Sequence, residues 1–168
     1  VKRMFFTMVR GWFAESRTDY NDFIKAMLQD DMDAMNEYMN RVVFSTFSYF
    51  DTGKNAYKEE PERFYHGFVL GLMVELQDRY IITSNRESGF GRYDVMLEPR
   101  NPEKDDAIIL EFKVFNARKE SCLEDTVAAA QRQIAEKQYA AGLAAKGIEK
   151  DRIRSYGFAF RGKTVLIG

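Results

Sequence analysis

Two apolar stretches decide the fold: GRYDVML at residues 91–97 and AIILEFKV at residues 107–114. Each is interpreted as a strand, and successive side chains of a strand point to opposite faces. Glu111 and Lys113 therefore share a face, while Phe112 points the other way. An acid and a base within an apolar run are costly to bury unless a partner compensates their charges. A divalent metal ion held by Asp94 and Glu111, with Lys113 beside it, would satisfy all three side chains; a buried salt-bridge network is the structural alternative.

The order of these charged residues resembles the signature of a known family. Asp94 followed by Glu111-x-Lys113 resembles the motif of the PD-(D/E)XK nuclease superfamily. The segments SNRESGFGRYD at 84–94 and FYHG at 64–67 are similar to the branch found C-terminal to AAA-ATPase-like domains. The resemblance covers roughly residues 56 to 168. It implies a restriction-endonuclease-like α/β sandwich with the core order α-β-β-β-α-β-β.

Bulk composition limits the alternatives. With 168 residues, 45% of them hydrophobic, the chain is long enough for one domain with a helical extension. The net charge of −1 gives no global reason to expect nucleic-acid binding, so any such surface must be a local patch. One cysteine excludes an intramolecular disulfide and suits a reducing, cytoplasmic location. No apolar run approaches the ~20 residues of a membrane span, so no membrane partner is expected. The start at Val rather than Met suggests a fragment of a longer protein, with an ATPase-like domain as a partner implied by the resemblance.

The patterns along the chain predict a helical extension over residues 1–55 and a nuclease-like domain over 56–168. Met and aromatic residues recur at helical spacing up to about residue 44; we interpret this stripe as core, with a partner groove as the alternative. A helix is predicted from Pro61 to about residue 76, because proline suits the first turn. Strands are predicted at 80–84, 92–98, 107–115, 156–160 and 164–167, and one helix, starting with a capping box at Ser121, is predicted to continue to Gly147. A meander flanked by helices indicates an α/β sandwich.

The predicted chemistry is metal-assisted hydrolysis of phosphodiester bonds. A hard cation lowers the pKa of a bound water and neutralises developing charge. Asp94 and Glu111 supply carboxylate ligands for Mg²⁺ or Mn²⁺, and the Phe112 carbonyl is a third candidate ligand. Lys113 would orient the attacking water or stabilise charge. Oxygen donors do not separate Mg²⁺ from Mn²⁺. An inherited but inactive site is the alternative to metal catalysis.

Further site residues are predicted with structural alternatives beside them. Glu87 could add an acid near the metal or could cap a turn. His66 shares a helix face with Glu62 and could reach the metal, as the resemblance implies, or could be a hydrogen-bonded structural residue. Relatives resembling RecB-type nucleases place Gln and Tyr four apart on the last helix, whereas Gln133 and Tyr139 are six apart here. Gln133 is the preferred contact to phosphate or metal-bound water, Tyr139 is expected to pack, and an ordinary amphipathic helix remains open.

Basic residues that flank the motif could form a surface for phosphate contacts: Arg86, Arg92, Arg118, Lys119, Arg132 and Lys137. DNA is favoured over RNA by the resemblance alone. The chain has no nucleotide-binding P-loop, so no ATPase activity is expected within it. We predict a Mg²⁺- or Mn²⁺-dependent deoxyribonuclease. The second hypothesis is an inactive domain of the same fold that binds nucleic acid or a partner protein, and a homodimer is compatible with both.

Overall fold

The computed structural model describes residues 17–50, 61–84, 87–88, 91–92 and 94–168, with side chains described for 22–44, 66–84 and 94–168. Five helices and seven strands are present in this part of the chain. No helix among these residues is long and apolar enough to cross a membrane.

The helices before the sheet are α1 (Arg17–Gln29), α2 (Met32–Phe50) and α3 (Pro61–Leu72), and a 3₁₀ turn at Met73–Leu76 follows. The strands are β1 (Tyr80–Ser84), β2 (Glu87–Ser88), β3 (Gly91–Arg92), β4 (Val95–Pro99), β5 (Ala107–Val114), β6 (Ile153–Arg161) and β7 (Thr164–Ile167). Between β5 and β6 lie α4 (Leu123–Glu136), α5 (Tyr139–Ala144) and a 3₁₀ turn at Lys150–Arg152.

The main sheet has the strand order β1-β4-β5-β6-β7. Neighbouring strands are antiparallel except β5 and β6, which run parallel. A parallel pair needs a crossover connection, and α4 with α5 provides it. A separate two-stranded sheet pairs β2 with β3. The expected mixed α/β architecture is therefore confirmed.

The sheet lies between two helical layers. On one face, α1, α2 and α3 bury a core with side chains such as Leu97, Leu110 and Phe158. On the other face, α4 and α5 cover a smaller cluster that includes Met96 and Ile109. Apolar residues on both faces explain why β5 is an almost continuous apolar run. The charged residues Glu111 and Lys113 interrupt this apolar run, which makes their position in the sheet a candidate for a functional site.

The structure corrects several of the predicted elements. No strand is predicted between residues 84 and 92, but Glu87–Ser88 forms one, and β4 begins at Val95 rather than at residue 92. The last helix is broken because Gln138 adopts a left-handed conformation with φ 48°, which a continuous α-helix does not accommodate. The capping box begins one residue later than expected, with Cys122 as its first residue. The predicted helices of residues 1–16 lie outside the described residues.

Candidate active site

The strand register brings the two motif carboxylates together. Val95 pairs with Leu110 in the antiparallel ladder of β4 and β5, so the same register extended by one residue places Asp94 opposite Glu111. Directly opposite residues share a face, with Cβ atoms about 5 Å apart. This face is the one covered by α4, because Met96 and Ile109 on it contact the α4–α5 cluster.

Asp94 is anchored by the backbone of β5. Its Oδ2 accepts a hydrogen bond of 2.8 Å from the backbone N–H of Phe112. The backbone carbonyl of Asp94 lies 3.2 Å from the Nε2 atom of His66, which also lies 3.3 Å from the Ser84 hydroxyl oxygen. Both the side chain and the main chain of Asp94 are therefore held by neighbouring elements.

Glu111 is a buried acid with charged and polar neighbours. Only 3% of the residue is exposed to solvent. The Nε2 atom of Gln133 donates a hydrogen bond to Glu111 Oε1, and the Lys113 amine lies 3.9 Å from the same oxygen. The Lys113 amine also donates a 2.7 Å hydrogen bond to Gln133 Oε1. Because a buried carboxylate needs such compensation, Gln133 joins the acid and the base of the motif into one network.

Tyr139 belongs to the same neighbourhood. Burial raises the pKa of its hydroxyl, and the charges of Glu111 and Asp94 add to the increase, while a side-chain hydrogen bond with Gln133 opposes it. The break at Gln138 turns the chain between α4 and α5, so a tyrosine six residues after Gln133 still reaches that glutamine. The expected packing of Tyr139 is present, because its side chain is buried in the α4–α5 cluster, and the contact with Gln133 is additional to it. A left-handed glutamine gives little signal in sequence, so residue spacing alone does not predict this contact.

His66 approaches from the other side of the sheet. Its ring lies 5.7 Å from the ring of Phe112, whose side chain points away from the face of Glu111. Among the residues that the structure describes, no cluster of three or more His, Cys, Asp or Glu side chains is placed to hold a metal ion. The ligand role expected for His66 stays a prediction, and this geometry favours instead a contact with the backbone of Asp94.

The oxygen donors fit a hard divalent cation. Asp94 and Glu111 supply carboxylates on one face, and the Phe112 carbonyl lies between Glu111 and Lys113 in the chain. Mg²⁺ prefers oxygen ligands and keeps several waters, so it does not need a cage made only of protein groups. A lysine beside the acids can balance charge without coordinating, because its ammonium group only donates hydrogen bonds.

The side chains of the other predicted site residues are only partly described by the structure. Arg118, Lys119, Arg132 and Lys137 are all exposed. Glu87 pairs with Arg92 through the backbone of the small sheet, but the side chains of both are outside the described part. Arg86 and the side chain of Glu62 also lie outside it. The structure therefore brings together Asp94, Glu111, Lys113 and Gln133, and adds Tyr139 to them.

A mixed sheet with an Asp at the start of one strand and Glu-x-Lys on the next defines a restriction-endonuclease-like fold with a nuclease-type motif. A family model described as the PD-(D/E)XK nuclease superfamily matches residues 60–168. The chain belongs to this superfamily, which confirms the resemblance found in the sequence. A search of curated proteins finds no match, and a search of solved structures finds none either.

Proposed function

We propose that this protein is a divalent-metal-dependent nuclease that hydrolyses phosphodiester bonds of DNA. The proposal is supported most strongly by one observation: Gln133 and Lys113, both half-buried, form a single network with the buried Glu111 carboxylate, and the strand register places Asp94 opposite Glu111. A salt bridge made only for stability would not need the second carboxylate at this position. Membership of a nuclease superfamily agrees with this chemistry.

In this proposal, Asp94 and Glu111 hold Mg²⁺ or Mn²⁺, with the carbonyl of Phe112 as a further ligand. The metal would activate a water molecule and neutralise charge on the phosphate. The backbone N–H of Phe112 fixes one oxygen of Asp94 and so orients the carboxylate. Gln133 does the same for Glu111 and also holds the Lys113 amine. Lys113 then orients the attacking water or stabilises negative charge as it develops on the phosphate.

The test is cleavage of labelled single-stranded, duplex and branched DNA, and of single-stranded RNA, with Mg²⁺, Mn²⁺ or EDTA. We expect metal-dependent products that disappear in Asp94→Ala and in Glu111→Gln. Glu98→Gln is the matched control, because Glu98 lies on the adjacent strand β4 but pairs with Lys146 instead of the motif residues. This control should cleave at the wild-type rate.

Metal binding separates catalysis from a binding-only domain. Isothermal titration calorimetry with Mn²⁺ should show binding to the wild type and to Glu98→Gln, and none to Glu111→Gln. Circular dichroism would verify that all three remain folded. No products on any substrate together with no Mn²⁺ binding by the wild type would refute the catalytic proposal and favour a domain that only binds nucleic acid or protein.

A further inference from the structure

A row of aromatic and basic side chains lies at one end of the main sheet. Phe115 directly follows β5, and its backbone N–H donates a 2.9 Å hydrogen bond to the carbonyl of Phe160. This bond continues the pairing with β6 and brings Phe115 next to Arg161. The guanidinium carbon of Arg161 lies 5.1 Å from the centroid of the Phe115 ring.

A second pair of the same kind follows at the β6–β7 turn. The Lys163 amine lies 5.8 Å from the centroid of the Phe44 ring. Asn40, one helical turn before Phe44, hydrogen-bonds the backbone of Val165, so α2 runs along β7 and delivers Phe44 to the turn. Phe44 is 65% exposed, which is unusual for so large an apolar side chain.

The row begins beside the candidate active site. Phe115 lies two residues after Lys113, so alternation in the extended chain places both on the sheet face that carries Glu111. Two residues of extended chain span about 6.6 Å, which is roughly the distance from one nucleotide to the next. Arg161 and Lys163 continue the row across the ends of β6 and β7.

We propose that Phe44, Phe115, Arg161 and Lys163 form a platform that binds an unpaired nucleic-acid strand as it leaves the candidate active site. This inference rests on the proposed nuclease function and gives it a substrate class. Every base has a π-face that can stack on an aromatic ring, while the cations neutralise the neighbouring phosphates. A base pair within a duplex has its faces covered by its neighbours, so a duplex cannot use the rings in this way. The exposed Arg118 and Lys119 in the loop after β5 add positive charge at the same end.

The test is fluorescence anisotropy with the full chain in EDTA, so that binding is measured without metal-dependent cleavage. The probes are labelled oligothymidylate, oligouridylate and a mixed-sequence duplex of equal length. Phe115→Ala and Phe44→Ala should each weaken binding of both single strands about tenfold, and duplex binding by less than about twofold. Phe115→Leu keeps an apolar side chain but removes the ring, so it should behave like Phe115→Ala while preserving the packing.

Two controls match the variants in chemistry but lie elsewhere. Ile81→Ala removes an exposed apolar side chain, 43% exposed, from the edge strand β1. Lys150→Ala is the control for Lys163→Ala. It removes a basic side chain from the 3₁₀ turn before β6, at the end of that strand opposite to Lys163. Neither control should change single-strand affinity by more than about twofold, since both residues lie away from the platform.

Single-strand affinities that stay at the wild-type level in both phenylalanine variants would overturn the platform, and so would an equal loss on the duplex. An absence of binding by the wild type would overturn it too. A change in mass by light scattering without an effect on nucleic acid would instead assign Phe44 to contact with a second copy of the chain. The cleavage assay is independent: ring-dependent strand binding without metal-dependent products would uphold the platform and refute the nuclease.

Discussion

Gly157 allows α4 to approach the sheet at the site, and replacing it with alanine should disturb both stability and activity. In the β5–β6 ladder Gly157 pairs with Glu111, and it faces α4. A Cβ atom at this position would lie 2.9 Å from the Cβ of Ala130 and 3.1 Å from the carbonyl oxygen of Val127. Ordinary van der Waals contact begins near 3.4 Å, so the helix must move away by several tenths of an ångström.

The magnitude follows from the kind of atoms that clash. Both are parts of the helix itself and cannot rotate away, so the clash must be relieved by moving α4. Such overpacking typically costs about 1–3 kcal/mol of unfolding free energy. Gln133 lies three residues after Ala130 on the same helix face, so it would move away from Glu111 together with the helix. Since a displacement of ~1 Å can reduce catalysis about a hundredfold, we expect roughly a tenfold loss of cleavage.

Urea denaturation and the cleavage assay measure the two effects. Gly142→Ala is the matched control, because nothing lies within 4 Å of its added Cβ and the residue is helical. It should be neutral or stabilising by up to about 1 kcal/mol. Adding Ala130→Gly to Gly157→Ala should recover part of the lost activity by removing the closest clash. An unfolding free energy for Gly157→Ala within about 0.5 kcal/mol of the wild type would refute the packing argument.

Three further predictions concern the frame around the site. Burial raises the pKa of Tyr80 to about 12, so the folded protein favours the neutral phenol. The unfolding free energy should therefore fall between pH ~10, the pKa of an unfolded tyrosine, and pH ~12. Tyr80→Phe should flatten this loss when urea unfolding is measured as a function of pH. Asn40→Leu should cost about 2 kcal/mol in the same assay, because it leaves the backbone N–H and carbonyl of Val165 without the 2.9 Å and 2.7 Å bonds that Asn40 makes. His66→Phe should weaken Mn²⁺ binding about tenfold in calorimetry, because it removes the 3.2 Å contact with the Asp94 carbonyl.

Two of these predictions have a conservative variant for comparison. Asn40→Asp keeps an acceptor for the Val165 N–H and should lose less stability than Asn40→Leu. His66→Gln keeps a polar donor and should bind Mn²⁺ more tightly than His66→Phe; equal affinities would contradict a role for His66 through the Asp94 backbone. A pH profile of Tyr80→Phe that matches the wild type would show that another group controls alkaline unfolding.

The sequence was enough to predict the motif strands and the sandwich, because their patterns are local. The alternation around Asp94 and the apolar run around Glu111 depend only on the two-residue period of a strand. Gln133 was found because the resemblance supplies a glutamine on the last helix. The hydrogen bonds that join it to Glu111 and Lys113 depend on the close approach of α4 over Gly157, which no local pattern encodes.

Two features of the site could not be predicted from the sequence: the break between α4 and α5, and the face of the sheet on which His66 lies. The left-handed turn at Gln138 occurs at a residue that usually continues a helix, so one continuous helix was the natural expectation. The ring of His66 lies on the face opposite to Glu111, although spacing on its own helix left both faces open. For His66 the face is shown by the contact of its ring with Phe112, which joins α3 to β5 and therefore depends on tertiary packing.

The helices α1 and α2 are part of the same packing unit as the nuclease-like residues. The family match begins at residue 60, but Phe23, Met27 and Met39 are buried in the core that also contains Phe112 and Phe158. Asn36 hydrogen-bonds the backbone N–H and carbonyl of Ile167, and Asn40 does the same for Val165. The spacings match, because the two asparagines are one helical turn, about 6 Å, apart and alternate residues of a strand are about 6.6 Å apart. Two asparagines on a helix thus take the place of a neighbouring strand and cover the sheet edge. We infer that α2 stabilises the end of the sheet at which Phe44 and Lys163 meet.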